Sequence, residues 1–142
     1  MNANTKLLHE IYYEAITAIA IISSILENQP DGKFFDILFG RMTEYRKIAN
    51  ETIMLLGDNQ IQIKPQPVSD KFSLITMRKM AKTIKSKAVI KGLIIRGSVE
   101  GIKSVIECIN TCTNAKKESR LLAYRLIEAE EENIRVLMEN VI

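Results

Sequence analysis

Glu14, Glu44 and the pair Glu130-x-x-Asn133 are the residues whose types and spacing come nearest to metal chemistry. Helix bundles that hold two iron or manganese ions set a Glu on each of two helices. On the other two they set a Glu-x-x-His, and all of these side chains point inward. Here Asn133 stands where the histidine after Glu130 would be, and Lys47 stands in that place after Glu44. The chain has one histidine, His9, so two Glu-x-x-His motifs are impossible and an oxidase-type di-iron centre is excluded. What remains is a vestige: Glu14, Glu44, Glu130 and Asn133 as candidates for a cation, with no metal expected. A buried carboxylate needs a partner, and a guanidinium can serve in place of a metal ion. Folding the third and fourth helices about a turn near residue 113 brings Arg96 level with Glu130, which would supply it. The plainer alternative leaves Glu14 and Glu130 solvated at the edges of their helices.

Cys108 and Cys112, at i and i+4, share a helix face. Thiolates so placed can take a soft metal when other ligands join them, and His9 is the one imidazole on offer. That Cys/Cys/His site exists only if the third helix ends where the first begins, and it lacks a fourth ligand. The alternative is that both thiols are small core residues. A basic run begins at Lys71, with eight Lys and Arg, Lys71 included, and no acid before Val99. Arg78, Lys82 and Lys85 line one face of it, while Lys79, Lys87 and Lys91 point elsewhere. No aromatic residues interleave to stack on bases, so a solvated face is expected rather than a nucleic-acid surface. There is no phosphate-cradling glycine loop and no nucleophile–base pair, and Gly97-x-x-x-Gly101 reads as close helix packing. No enzyme is expected, and no cofactor.

Long helices must position these residues. Asn4 or Thr5 can cap a first helix running to about Asn28, with Leu8, Ile11, Ala15, Ala18, Ile22 and Ile25 inward. Ile16, Ile19, Ile21 and Leu26 lie off that stripe, so this helix is apolar nearly all round and predicts a second subunit over its outer flank. Asp31 can cap a second helix that ends at Gly57, with Phe35, Leu38, Met42, Tyr45, Ala49, Thr52 and Leu56 inward. Residues 57–69, with Pro65 and Pro67, form the one long irregular stretch. About 13 residues at roughly 3.3 Å each reach some 40 Å. That is enough to cross a bundle lengthwise, and the alternative is a surface loop between antiparallel neighbours. From Ser69 or Asp70 to Cys112 a third helical stretch carries Met77, Met80 or Ala81, Ile84, Ala88, Ile95, Val99, Ile102, Ile106 and Ile109. It is too long for one straight helix, and a break is expected near Lys71–Met80 or at Gly97. After a Thr113-Asn114 turn, with Asn114 as cap, the fourth helix places Leu122, Leu126, Ile127, Ile134, Leu137, Met138 and Val141 inward.

Composition agrees. With 142 residues, three prolines, six glycines and no Trp, the chain suits one domain, 1–142, of a few long helices. The net charge of +3 is modest, and two cysteines suit a reducing cytosol better than a disulfide framework. Ala15–Leu26 is uncharged but short of the roughly 20 residues a membrane span needs. A cytoplasmic protein is therefore expected.

Four long helices with a long second connection describe a ferritin-like four-helix bundle with a crossover between helices two and three. The segment Ile95-Arg-Gly-Ser-Val-Glu-Gly-Ile102, the Thr113–Ala115 turn and the Glu-Glu-Asn-Ile of the closing Leu126–Leu137 stretch point the same way. They resemble an uncharacterised bacterial family of ferritin-like four-helix-bundle proteins. The resemblance covers roughly the last 75 residues well and the first half by helix pattern alone. It implies the fold and transfers no activity and no metal ligand. The expectation is a non-enzymatic homodimer with a structural or interaction role. The alternative is a degenerate ferritin-like metal-binding or carrier protein.

Overall fold

The computed structural model describes residues 2–27, 32–57 and 86–140. Among these there are four helices and no strand: α1 (Ala3–Leu26), α2 (Lys33–Leu56), α3 (Lys87–Thr111) and α4 (Lys117–Glu139). α1 opens earlier than expected, because Asn2 is the cap and its side chain accepts from Thr5 N at 2.8 Å. Asn4 instead serves the start of α4, where its Oδ1 accepts from the backbone N–H of Lys116 at 3.0 Å. The cap of α4 is therefore Lys116 rather than Asn114, and Lys116 makes no side-chain capping bond of its own. α2 ends at Gly57 as its sequence requires, in a backbone conformation (φ 64°) that glycine adopts without strain.

α3 departs most from expectation. Ser86 caps it, accepting from Val89 N, and the helix runs unbroken through Gly97 and Gly101. The expected break at Gly97 is absent. The other expected position, Lys71–Met80, lies outside the described residues, as do the 58–69 part of the long connection, Asp31 and Val141.

The core follows the 3.6-residue stripes of α1, α2 and α4 closely. Leu8, Ile11, Ala15, Ile22 and Ile25 are buried on α1, Leu38, Met42, Tyr45, Ala49, Thr52 and Leu56 on α2, and Leu122, Leu126, Ile127 and Leu137 on α4. On α2 it is Phe34, not Phe35, that turns fully inward, and on α4 Met138 faces water. On α3 the expected stripe is rotated. Ile90, Leu93, Ile94, Ser98, Gly101, Val105 and Cys108 are buried, whereas Val99 and Ile106 are exposed. Ile16 and Ile19 of α1 pack against the core of their own chain, so the flank that predicted a second subunit is half-covered within one chain.

α1 and α4 each pack against the other three helices, while α2 and α3 scarcely meet. Cross-helix bonds fix the directions. Arg41 and Glu51 of α2 reach Ala129 and Arg125 of α4, so these two helices run antiparallel. Lys91 and Ser98 of α3 meet Asn140 and Asn133, giving a second antiparallel pair. α1 runs with α4, its Asn4 level with Lys116 and its Glu14 level with Glu130. α2 and α3 consequently point the same way, and Gly57 and Ser86 lie at opposite ends of the bundle. No described helix is long and apolar enough to cross a membrane.

Candidate functional site

The middle of the bundle is polar, and all four helices contribute to it. Glu130 enters from α4 and is 4% exposed, a depth at which a carboxylate requires partners. Its Oε1 accepts a hydrogen bond from the Tyr45 hydroxyl of α2, itself fully buried. The Ser98 hydroxyl of α3 bonds the Tyr45 oxygen and accepts in turn from Asn133 Nδ2 at 2.9 Å. Arg41 lies one turn before Tyr45 on α2. Its Nη2 donates to the Ala129 carbonyl at 3.2 Å, which places its charge beside Glu130.

Gly101 makes room for the second carboxylate. A Cβ there would lie 2.9 Å from Glu14 Oε2 and closer still to Glu130 Oε2, nearer than real Cβ atoms come. Both carboxylates therefore press on the α3 backbone at one point. The Glu14 residue keeps some accessible surface, but its carboxyl group is deep and is hydrogen-bonded to Glu10, one turn earlier on α1.

Burial dominates the protonation of both. The Glu14 carboxyl is pushed up to about 8 by loss of water, and then by the nearby negative charges of Glu10, Glu130 and Glu100. Glu130 is also pushed up to about 8 by burial, with the Tyr45 bond and the Arg41 charge pulling against it. Glu14 has only neighbours that oppose ionisation, while Glu130 has two that favour it. Of the two, Glu14 is the one that holds a proton longer. The Tyr45 phenol is raised well above its usual range, by burial first and by Glu130 second.

The structure thus brings together Glu14, Glu130 and Asn133 of the sequence candidates and separates Glu44. The Glu44 side chain is substantially exposed and pairs with Lys47 at 3.4 Å. Neither Glu14 nor Glu130 is at a solvated helix edge. Arg96 is exposed on α3 and is not the cation beside Glu130, because the pairing of α3 with α4 brings Gly101 to that level instead. Arg41 and Tyr45, from the far side of the bundle, take that part. Tyr45 was legible as a core residue. Its role as donor depends on the α2–α4 register, which no local spacing encodes.

At one end of the bundle Cys108 Sγ and Cys112 Sγ lie 3.6 Å apart, both buried and unbridged. Burial, followed by the bond to Cys112, pushes the Cys108 thiol up to about 12, so neither nucleophile nor metal-binding thiolate is favoured there. Glu10 and Lys6 are its charged neighbours, which puts His9 at the same level. No group of three or more His, Cys, Asp or Glu among the described residues is arranged to hold a metal ion. Of the basic run, Arg78, Lys79, Lys82 and Lys85 lie outside the described residues, and Lys91 donates to the Asn140 carbonyl at 3.1 Å.

No protein-family model and no curated protein matches the sequence. Among solved structures the chain is similar to a DUF305 fragment from Deinococcus radiodurans. The match has a TM-score of 0.67 and covers 97% of this chain and 94% of that one at 13% identity. Identity this low carries the all-helical fold and nothing about activity.

Proposed function

We propose that the protein is a non-enzymatic, ferritin-like four-helix bundle that acts as a structural or interaction module in the cytoplasm, as a homo-oligomer. The shared direction of α2 and α3 supports the ferritin-like arrangement, in which a crossover must join them. The observation that carries the metal-free, non-enzymatic part of this reading is the way Glu130 is satisfied. A tyrosine hydroxyl occupies one oxygen, the α3 backbone at Gly101 crowds the other, and an arginine charge stands nearby. The residues present do not fit a di-iron group: no histidine follows either interior glutamate, and Glu44 is turned to solvent. The carrier alternative would leave a cation two interior carboxylates and a tyrosine that already donates its proton to one of them.

Metal analysis after aerobic purification and after incubation with ferrous iron tests this reading. Traces well below one ion per chain are expected, and about two irons per chain, the ferritin-like complement, would overturn it. Light scattering tests the assembly. Twice the chain mass at micromolar concentration supports the homodimer, and the mass of a single chain excludes it. Association through α1 is not part of the proposal, because Ile16 and Ile19 already pack on their own core. The large exposed apolar side chains lie instead on the other helices, among them Met54, Leu121 and Met138.

A further inference from the structure

The geometry points to a proton-operated latch at Gly101, in which the bundle closes around a protonated Glu14–Glu130 pair and loosens along the α1–α3 seam when both are ionised. The inference rests on the metal-free midplane and assigns its regulation. Two carboxylates from different helices meet against one stretch of α3 backbone, where a missing side chain is what lets them approach. With both protons bound the pair is neutral, and with a proton on Glu14 alone its single charge is offset by the hydrogen bond from Tyr45 and the nearby Arg41. With both ionised, two like charges share a poorly hydrated site, and moving α1 off α3 would let water reach them.

The groups facing the pair come from every helix. They are Glu10 on α1, Arg41 and Tyr45 on α2 and Glu100 on α3, with Glu130 itself on α4. Arg41 is the cation among these described groups, and it serves Glu130. Glu10 is half-buried and bonded to Glu14, so it is the exit by which the proton passes to solvent.

The direction of the pH effect follows from linkage. Both carboxyls are raised in the folded chain from 4.5 to about 8, so between those values the folded state holds protons that the unfolded state has lost. The pair's contribution to stability is therefore greatest towards 4.5, falls as pH rises to about 8, and levels off above it. Each extra proton held lowers the folding equilibrium constant about tenfold per pH unit across that window.

The test uses the full chain treated with a chelator, comparing wild type with Glu14→Gln by urea unfolding across this range. A shallower fall in Glu14→Gln, by about tenfold per pH unit at most, is expected, and equal slopes overturn the proposal. Opening of the seam is read from the rate at which a thiol reagent labels Cys108, which lies beside Glu10. Comparing the two proteins at the same pH cancels the titration of the thiol itself. Labelling should match on the acidic side of 8 and be faster in wild type on the alkaline side, and equal rates on both sides refute the latch. If Glu14→Gln does not fold, infrared spectra of wild type decide. A protonated-carboxyl band present at neutral pH and lost at alkaline pH supports the proposal, and its absence at neutral pH refutes it. Metal content is measured on untreated protein, so the proton latch and the metal-free reading fail by different experiments.

Discussion

Gly101→Ala would set a methyl group into the space shared by the Glu14 and Glu130 carboxylates. Overpacking of this kind costs about 1–3 kcal/mol, against roughly 1 kcal/mol that alanine returns in helix propensity. Because the obstructing atoms are buried and crowded by their own partners, the net expected effect is destabilisation, seen as a lower urea midpoint. Gly92, on the same helix, is the internal control. Nothing lies within 4 Å of a Cβ built there, so Gly92→Ala should stabilise by about 0.5–1 kcal/mol. If the two substitutions behave alike, the close approach at Gly101 has no energetic meaning. Tyr45→Phe tests the opposite side of the same carboxylate. It leaves a buried Glu130 oxygen without its donor, at a cost of about 1–3 kcal/mol. It also removes an influence that holds the Glu130 carboxyl down, so a carboxyl titration followed by NMR should move further upward in this variant.

The helices differ in how openly their sequences declare which way they face. α1, α2 and α4 bury aliphatic residues at helical spacing, and much of each inward face could be read from the chain, although Leu7, Ile21, Ile48 and Ala123 are buried off the expected stripes. α3 could not be read this way. Its inward face includes Ser98 and Gly101, a hydroxyl that serves Asn133 and a gap that admits two carboxylates, while Val99 and Ile106 are left in water. Periodicity follows hydrophobicity, so a face chosen for fit and hydrogen bonding is hidden from it. The interior glutamates were recognisable because a charged residue at helical spacing among apolar ones stands out. Arg41 and Tyr45 as their partners were not recognisable, since the register between α2 and α4 joins residues 85 or more positions apart. The start of α3 gives a direct test at this scale. Ser86→Ala removes the side chain that accepts from Val89 N, and at 3.4 Å the loss should fall near the low end of the roughly 0.5–2 kcal/mol range for caps. Unchanged amide-exchange protection over the first turn of α3 would show that the helix does not depend on this cap.

At the scale of the whole molecule, α1 is a helix that packs on each of the others. Ile19→Glu should therefore act first on folding. The expected result is a lowered unfolding midpoint at every protein concentration, because the side chain packs on the core of its own chain. A variant that keeps the wild-type midpoint and merely halves its mass would return the dimer contact to α1. The bond from Asn4 to Lys116 adds a consequence in time. α1 leaves the ribosome before the other three helices, and the partner that fastens its beginning is 112 residues later in the chain. Loop closure over such a span must be met before the contact repays it. A nascent chain can pair α1 with α2 early, but the side of α1 that packs on the last two helices stays uncovered until they emerge, α4 latest of the four. A chain stalled before α4 would leave uncovered the face of α1 that α4 packs on, and such truncations are expected to aggregate.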